Sequence, residues 1–228
     1  TPYVSATFRF SPKWWLRTGM RVSTTSSKLT QKDTGESNSR DETVFLPNVH
    51  AKYMPSKNHQ WAFSLNSYAT QPTYNALNPF EWRVNQRQVY RGNPMLIPST
   101  TYIYDLGYTY KGVLSFSTTA EQERNSIASV MTIDDDMIYS QPQNAENSFF
   151  IGAKGSYYYN QLKFMTASLR GTYGRRHYSS IDKNLADKRD ASEWSASARM
   201  TFIFNKKRTF RGILSGSYIG RKKTSLAT

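Results

Sequence analysis

The chain has 228 residues, no cysteine, and 30 Lys+Arg against 16 Asp+Glu, for a formal charge of +14. Aromatics make up 14% of it, with 16 Tyr, 12 Phe and 5 Trp, and no continuous run of apolar residues is long enough to cross a bilayer as a helix. Disulfide frameworks, thiolate metal sites and a helical membrane protein are therefore excluded.

The charge excess fits either an anionic partner (nucleic acid, lipopolysaccharide, an acidic ligand) or a piece of a larger molecule whose acids lie elsewhere. The cations are scattered along the chain rather than gathered into a stripe, which favours the second reading. A start at Thr1 with no signal peptide and an end just after a basic tail read as a mature or excised piece.

In chain order, alternation with a period of two dominates. Val4, Ala6, Phe8 and Phe10 alternate with Tyr3, Ser5, Thr7 and Arg9; Trp14, Leu16, Met20 and Val22 alternate with Trp15, Arg17, Gly19 and Arg21. Trp61, Phe63, Leu65 and Ala69 follow, then the run Tyr102, Tyr104, Leu106, Tyr108 and Tyr110, and finally Trp194, Ala196, Ala198, Met200, Phe202 and Phe204. Ten such segments are predicted as strands, near 3–10, 14–24, 44–54, 60–70, 101–111, 113–122, 147–159, 163–174, 194–204 and 209–219.

Short links alternate with long polar ones, the latter predicted as loops at 25–43, 71–100, 123–146 and 175–193. Lys13, Lys57, Lys111, Lys163, Lys206, Lys207 and Arg208 all fall in short links. The fold class that follows is all-β, an antiparallel up-and-down meander of about ten long strands, part of a transmembrane β-barrel or a small one, with one rim of turns and one of loops. A soluble barrel alternates too. Strands of about eleven residues, aromatics gathered at strand ends and an opposite face of Ser, Thr, Gly and Arg favour lipid outside. Residues 1–228 are read as a single barrel segment with no plug domain. Leu106, Tyr108, Phe202, Met200 and Trp61 are assigned to the lipid face, and Asp105, Gly107, Thr201 and Arg199 to the interior.

The link at 71–100 carries two Asn-Pro elements. Leu77-Asn78-Pro79-Phe80 comes first, and Gly92-Asn93-Pro94, with Pro98 closing the link, comes second. As local chemistry these fix turns, and Pro98 ends the loop before ladder donors are needed. The paired motif, followed by the Tyr-rich strand, resembles the barrel of TonB-dependent receptors of the Bacteroidota type. Gln71 stands where that family has Arg, and Ser99 where it has an acidic residue. The resemblance implies an outer-membrane transporter for a siderophore, glycan or peptide, without cofactor. It implies as partners the outer-membrane lipid and lipopolysaccharide, the plug and remaining strands of the receptor, and TonB through segments outside this chain, with a surface lipoprotein as a candidate accessory. The alternative is a small outer-membrane or soluble β-sheet module that binds an anionic partner.

Catalysis has little to stand on. Asp134-Asp135-Asp136 and His177 lack the spacing of barrel proteases, and no nucleophile elbow, phosphate loop or His-x-x-x-His pair is present. A nucleic-acid platform would need rings beside cations on one face, whereas here they alternate onto opposite faces, so no nucleic-acid partner is expected. The candidate ligand contacts are Trp82, Arg83, Arg87, Tyr90 and Arg91, because rings stack on sugars and guanidinium forks grip carboxylate or phosphate.

Overall fold

The computed structural model describes residues 2–30, 37–180, 189–205, 207, 209–220 and 223–224. Its strands are β1 (Tyr3–Ser11), β2 (Trp14–Thr30), β3 (Ser37–Ser56), β4 (His59–Thr70), β5 (Glu81–Asn85), β6 (Gln88–Arg91), β7 (Ser99–Tyr110), β8 (Leu114–Asp134), β9 (Met137–Leu162), β10 (Met165–Ser180), β11 (Arg189–Ile203), β12 (Arg211–Ile219) and β13 (Lys223–Thr224). A single helical turn, α1 (Tyr74–Leu77), precedes β5.

The path β1-β2-β3-β4-β7-β8-β9-β10-β11-β12 is one antiparallel meander, and each of its ten strands takes in one of the ten alternating segments to within two residues at an end. Its end strands, β1 and β12, are not paired with each other. β13 pairs with β11, and β5 and β6 form a separate hairpin that leaves the path between β4 and β7.

Three of the four predicted loops are mostly strand. The ladder between β2 and β3 runs on to Thr30 and Ser37, that between β8 and β9 to Asp134 and Met137, and that between β10 and β11 to Tyr178 and Arg189. Backbone pairing needs no apolar face, so the hairpins continue where water lies on both sides and the alternation fades. At the far tip of β8–β9 only Asp135 and Asp136 turn, both at positive φ (44° and 62°), the two-residue turn whose twist matches that of the strands. At the opposite end Lys111 and Gly112 do the same between β7 and β8 (φ 49° and 67°). Lys13, Lys57, Lys111, Lys163 and Lys207 all occupy the short turns, while Lys206 and Arg208 lie outside the described residues.

Directly paired residues share a face, so the registers define rows that cross the whole sheet. One runs Phe8, Leu16, Ala51, Phe63, Leu106, Thr118, Ala153, Tyr173, Trp194. The next residue along each strand gives a polar row: Arg17, His50, Ser64, Asp105, Thr119. Leu106, Tyr108, Trp61, Met200 and Phe202 thus share one face, and Asp105, Gly107, Thr201 and Arg199 the other. Across the polar face Asp105 accepts hydrogen bonds from the hydroxyls of Thr119 at 2.6 Å and Ser64 at 3.4 Å.

Further along that face the guanidinium of Arg176 pairs with Glu121 at 2.8 Å and rests 5.0 Å from the centre of the Phe150 ring. That ring fills the space that side chains at Gly152 and Gly174 would need. At the short-turn end of the apolar face the rings pair off: Trp14 with Tyr53 (4.2 Å between centroids), Trp61 with Tyr108 (4.6 Å) and Phe204 with Phe210 (5.0 Å). Buried apolar side chains are few among the described residues: Leu46, Ala76, Val89 and Leu96. Three of these four belong to the segment between β4 and β7, not to the wall.

Candidate ligand-binding site at the open rim

The segment between β4 and β7 is built by its two Asn-Pro elements clasping each other. Thr73 caps α1, its hydroxyl accepting from the Ala76 N–H at 3.3 Å. Asn78 and Asn93 each fold their side chain onto the backbone two residues ahead, accepting from the N–H of Phe80 (3.2 Å) and of Met95 (2.9 Å). The Asn93 N–H then bonds the Ala76 carbonyl at 2.6 Å, which joins the second element to the first. At Gly92 the contact is so close that a Cβ would collide with the Asn78 carbonyl oxygen. Glycine is required there by space, not by backbone angle. Leu96 and Pro98 are buried, Leu77, Asn78 and Pro94 are half-buried, and Pro79 and Phe80 are exposed.

This insert is anchored on the extended β8–β9 hairpin. β6 adds to β9 as a parallel strand, pairing Gln88, Val89 and Tyr90 with Ile138, Tyr139 and Ser140. Asn93 donates to the Pro142 carbonyl at 3.2 Å. Asn144 accepts from the Ile97 N–H at 2.9 Å and donates to the carbonyls of Ile97 (2.9 Å) and Asn125 (2.8 Å). Asn125 itself sits at positive φ (56°) in a break of the β8–β9 register. The irregularity thus presents a carbonyl that the insert's anchor uses.

The five candidate contacts all lie on the β5–β6 hairpin or its turn, but they do not converge. Glu81 pairs with Arg91, Trp82 with Tyr90 and Arg83 with Val89. Successive strand residues point to opposite faces. Trp82 and Tyr90 therefore occupy one face, stacked with centroids 4.3 Å apart, and Arg83 and Arg91 the other. Arg87 projects from the turn, its N–H held by the Asn85 side chain at 2.9 Å. The ring face is open: Trp82 is 40% exposed. On the other face Arg91 meets Glu81 at 3.6 Å, with both side chains more than half exposed, a contact worth little by itself.

Behind that second face lies a cleft of about 280 Å³ between the hairpin and β8–β9, lined by Glu81, Arg91, Thr132, Asp134, Tyr139 and Gln141. The β8–β9 lining lies within 123–146, which the sequence predicts as a loop because no period of two marks the stretch as a whole. Among the described residues no three His, Asp or Glu converge as metal ligands. Asp135 and Asp136 form the hairpin tip, and His177 lies on another hairpin, bonded to Asp190 at 2.7 Å.

The apolar face, the polar face and the unequal rims bear on where this sheet resides, and the sequence match decides it. Residues 2–228 match the outer membrane protein beta-barrel family. The chain belongs to that family. In an outer-membrane β-barrel an apolar face such as that of Leu106 is the one suited to hydrocarbon, a polar one such as that of Asp105 the one suited to water, and rings paired at strand ends suit the interface between them.

No curated protein matches the chain. Among solved structures it resembles the siderophore receptor PirA from Pseudomonas aeruginosa (TM-score 0.60, 12% identity, covering 90% of this chain and 42% of that one). It also resembles the FrpB iron transporter from Neisseria meningitidis (0.64, 15%, 90% and 30%) and the copper transporter OprC (0.57, 12%, 95% and 38%). At these identities the likeness is one of fold, and the chain spans less than half the length of each.

Proposed function

We propose that the chain is a single segment of the barrel wall of a TonB-dependent receptor that takes up a scarce nutrient, and that the β5–β6 insert contacts the nutrient at the extracellular mouth. One observation carries the reading. At the long rim, where a barrel of this kind faces the medium, the chain builds an ordered insert that lies outside the meander path, docks on the β8–β9 hairpin and presents an open aromatic pair. Loops that carry function are characteristically held on a rigid scaffold in this way. The names of the three structural neighbours, a siderophore receptor and two metal transporters, support the transport class. The partners are then the remaining strands and plug of the receptor, TonB, a surface lipoprotein, and lipid on the apolar face.

The separation of rings from guanidiniums narrows the ligand. Trp82 and Tyr90 suit a sugar ring or a planar aromatic group that stacks, with Arg87 reaching its rim. A siderophore, glycan or peptide contact through Arg91 would instead enter the cleft behind. The test is Trp82→Ala combined with Arg87→Ala, assayed by growth on siderophore-bound iron, glycan or peptide as limiting nutrient, with Arg91→Ala alongside. A loss of uptake in the double variant, with a normally folded barrel, places the mouth on the ring face. A loss confined to Arg91→Ala places it in the cleft. Normal uptake in both removes the insert from the binding site.

A further inference from the structure

On the polar face near the short turns, Arg170 of β10 lies directly opposite Ser156 of β9 and Ser197 of β11. Arg199 of β11 lies opposite Ser168 of β10, two residues along, so the two arginines are diagonal neighbours. Such positions are roughly 7–8 Å apart, within reach of each other for side chains of this length, and like charges so placed repel. Arg91, Arg175 and Arg176 each have a carboxylate partner; Arg170 and Arg199 have none in ion-pair range among the described residues. They overlook a cleft of about 580 Å³ on this face, whose lining holds both arginines, a set of serines and Tyr158, and no carboxylate.

Two guanidinium forks and several hydroxyl donors, with no acid to neutralise them, are the components of an oxyanion site. Each fork can grip two oxygens of one group, and an anion between them converts the repulsion into attraction. We propose that Arg170 and Arg199, with the hydroxyls of Ser156, Ser168, Ser197 and Tyr158, bind a phosphate or carboxylate group on the inner wall at the end of the barrel away from the insert. The group belongs either to a free anion or to acidic side chains of a polypeptide lying in the lumen. The inference rests on the polar face being the barrel interior.

The receptor, extracted whole from outer membranes in mild detergent, is titrated calorimetrically at low salt with inorganic phosphate and separately with a tetraglutamate peptide. Arg170→Gln/Arg199→Gln is expected to weaken the tighter of the two by at least about tenfold, the scale of one lost charged hydrogen bond. Arg9→Gln/Arg17→Gln, which removes two cations of the same face at the other edge of the sheet, is expected to change it little. Tighter peptide than phosphate identifies polypeptide carboxylates as the source, and the reverse a free anion. Absence of saturable binding, or equal weakening by both double variants, overturns the site in favour of a diffuse basic wall. Migration of each unheated barrel in gels reports folding. The titration needs no uptake, so its failure leaves the transport reading untouched, and failed uptake with intact titration leaves the site.

Discussion

Leu96 in the insert is 2% exposed, while Leu106, on the strand that follows, is 46% exposed. The same side chain is handled in opposite ways within one stretch of chain. The insert buries Ala76, Val89 and Leu96, as a small water-soluble unit does. Fully burying a residue such as Leu96 or Val89 contributes about 1.5–3 kcal/mol in water. The wall leaves Phe8, Phe63, Leu106, Leu169 and Trp194 open on one face. Its strands hold by antiparallel backbone pairing along the meander, and an apolar face of this kind is stable only against hydrocarbon. A single chain thus holds a region with a buried interior and a region with an open apolar face, and the two meet between Pro98 and the exposed side chains of β7.

The largest effect that separates the two regions comes from placing a charge on the apolar face. Leu106→Arg is expected to destabilise the folded barrel by about 2–4 kcal/mol if the residue is near the bilayer midplane. Thr109→Arg, on the opposite face beside Gln60 and Ser115, should cost far less. Equilibrium unfolding from lipid vesicles measures both. Equal costs would mean that the two faces do not differ in solvent.

The wall was legible and the insert was not, for a physical reason. One face in lipid and one in water imposes a period of two, so Trp61 through Leu65 and Trp194 through Phe204 announce their strands and faces directly. Beyond the membrane both faces are wet, no period is imposed, and the extensions of β2–β3, β8–β9 and β10–β11 read as loops. The Asn-Pro elements were visible as turn formers, but their clasp through Gly92 and Ala76 depends on three-dimensional contact that no spacing encodes. Trp82, Arg83, Arg87, Tyr90 and Arg91 stand close together in the sequence, but in a hairpin over 81–91 alternation alone splits the rings from Arg83 and Arg91.

A smaller effect, confined to the insert, tests whether the two regions fold independently. Gly92→Ala drives a methyl group into the Asn78 carbonyl. Overpacking of this kind costs about 1–3 kcal/mol, and here it falls on the clasp alone. Trypsin should then cut the exposed arginines Arg83 and Arg87 faster on intact cells, while heat stability of the barrel stays as in the parent. A barrel that loses stability in step with the insert would show that β8–β9 couples them.

The smallest expected effect lies at the far end of the wall, where strands leave the lipid. Asp190 of β11 accepts from the Nδ1–H of His177 at 2.7 Å and from the Arg175 guanidinium at 2.5 Å. The His177 hydrogen bond, and after it that from Arg175, hold the Asp190 carboxyl below its ordinary value. A carboxylate whose folded pKa is depressed stabilises the fold above its unfolded pKa, about 3.9, and loses that contribution as pH falls through the lower folded value. All three groups are exposed, so the gain is screened and local. It should appear as fraying of the β10–β11 ladder rather than as a shift in barrel stability. Backbone amide protection at 175–178 and 190–192 should be high at pH 6 and fall toward pH 3, and Asp190→Asn should show the low value at both. Protection in Asp190→Asn equal to the parent's at pH 6 would mean that the ladder beyond the membrane, like the wall within it, is held by its backbone alone.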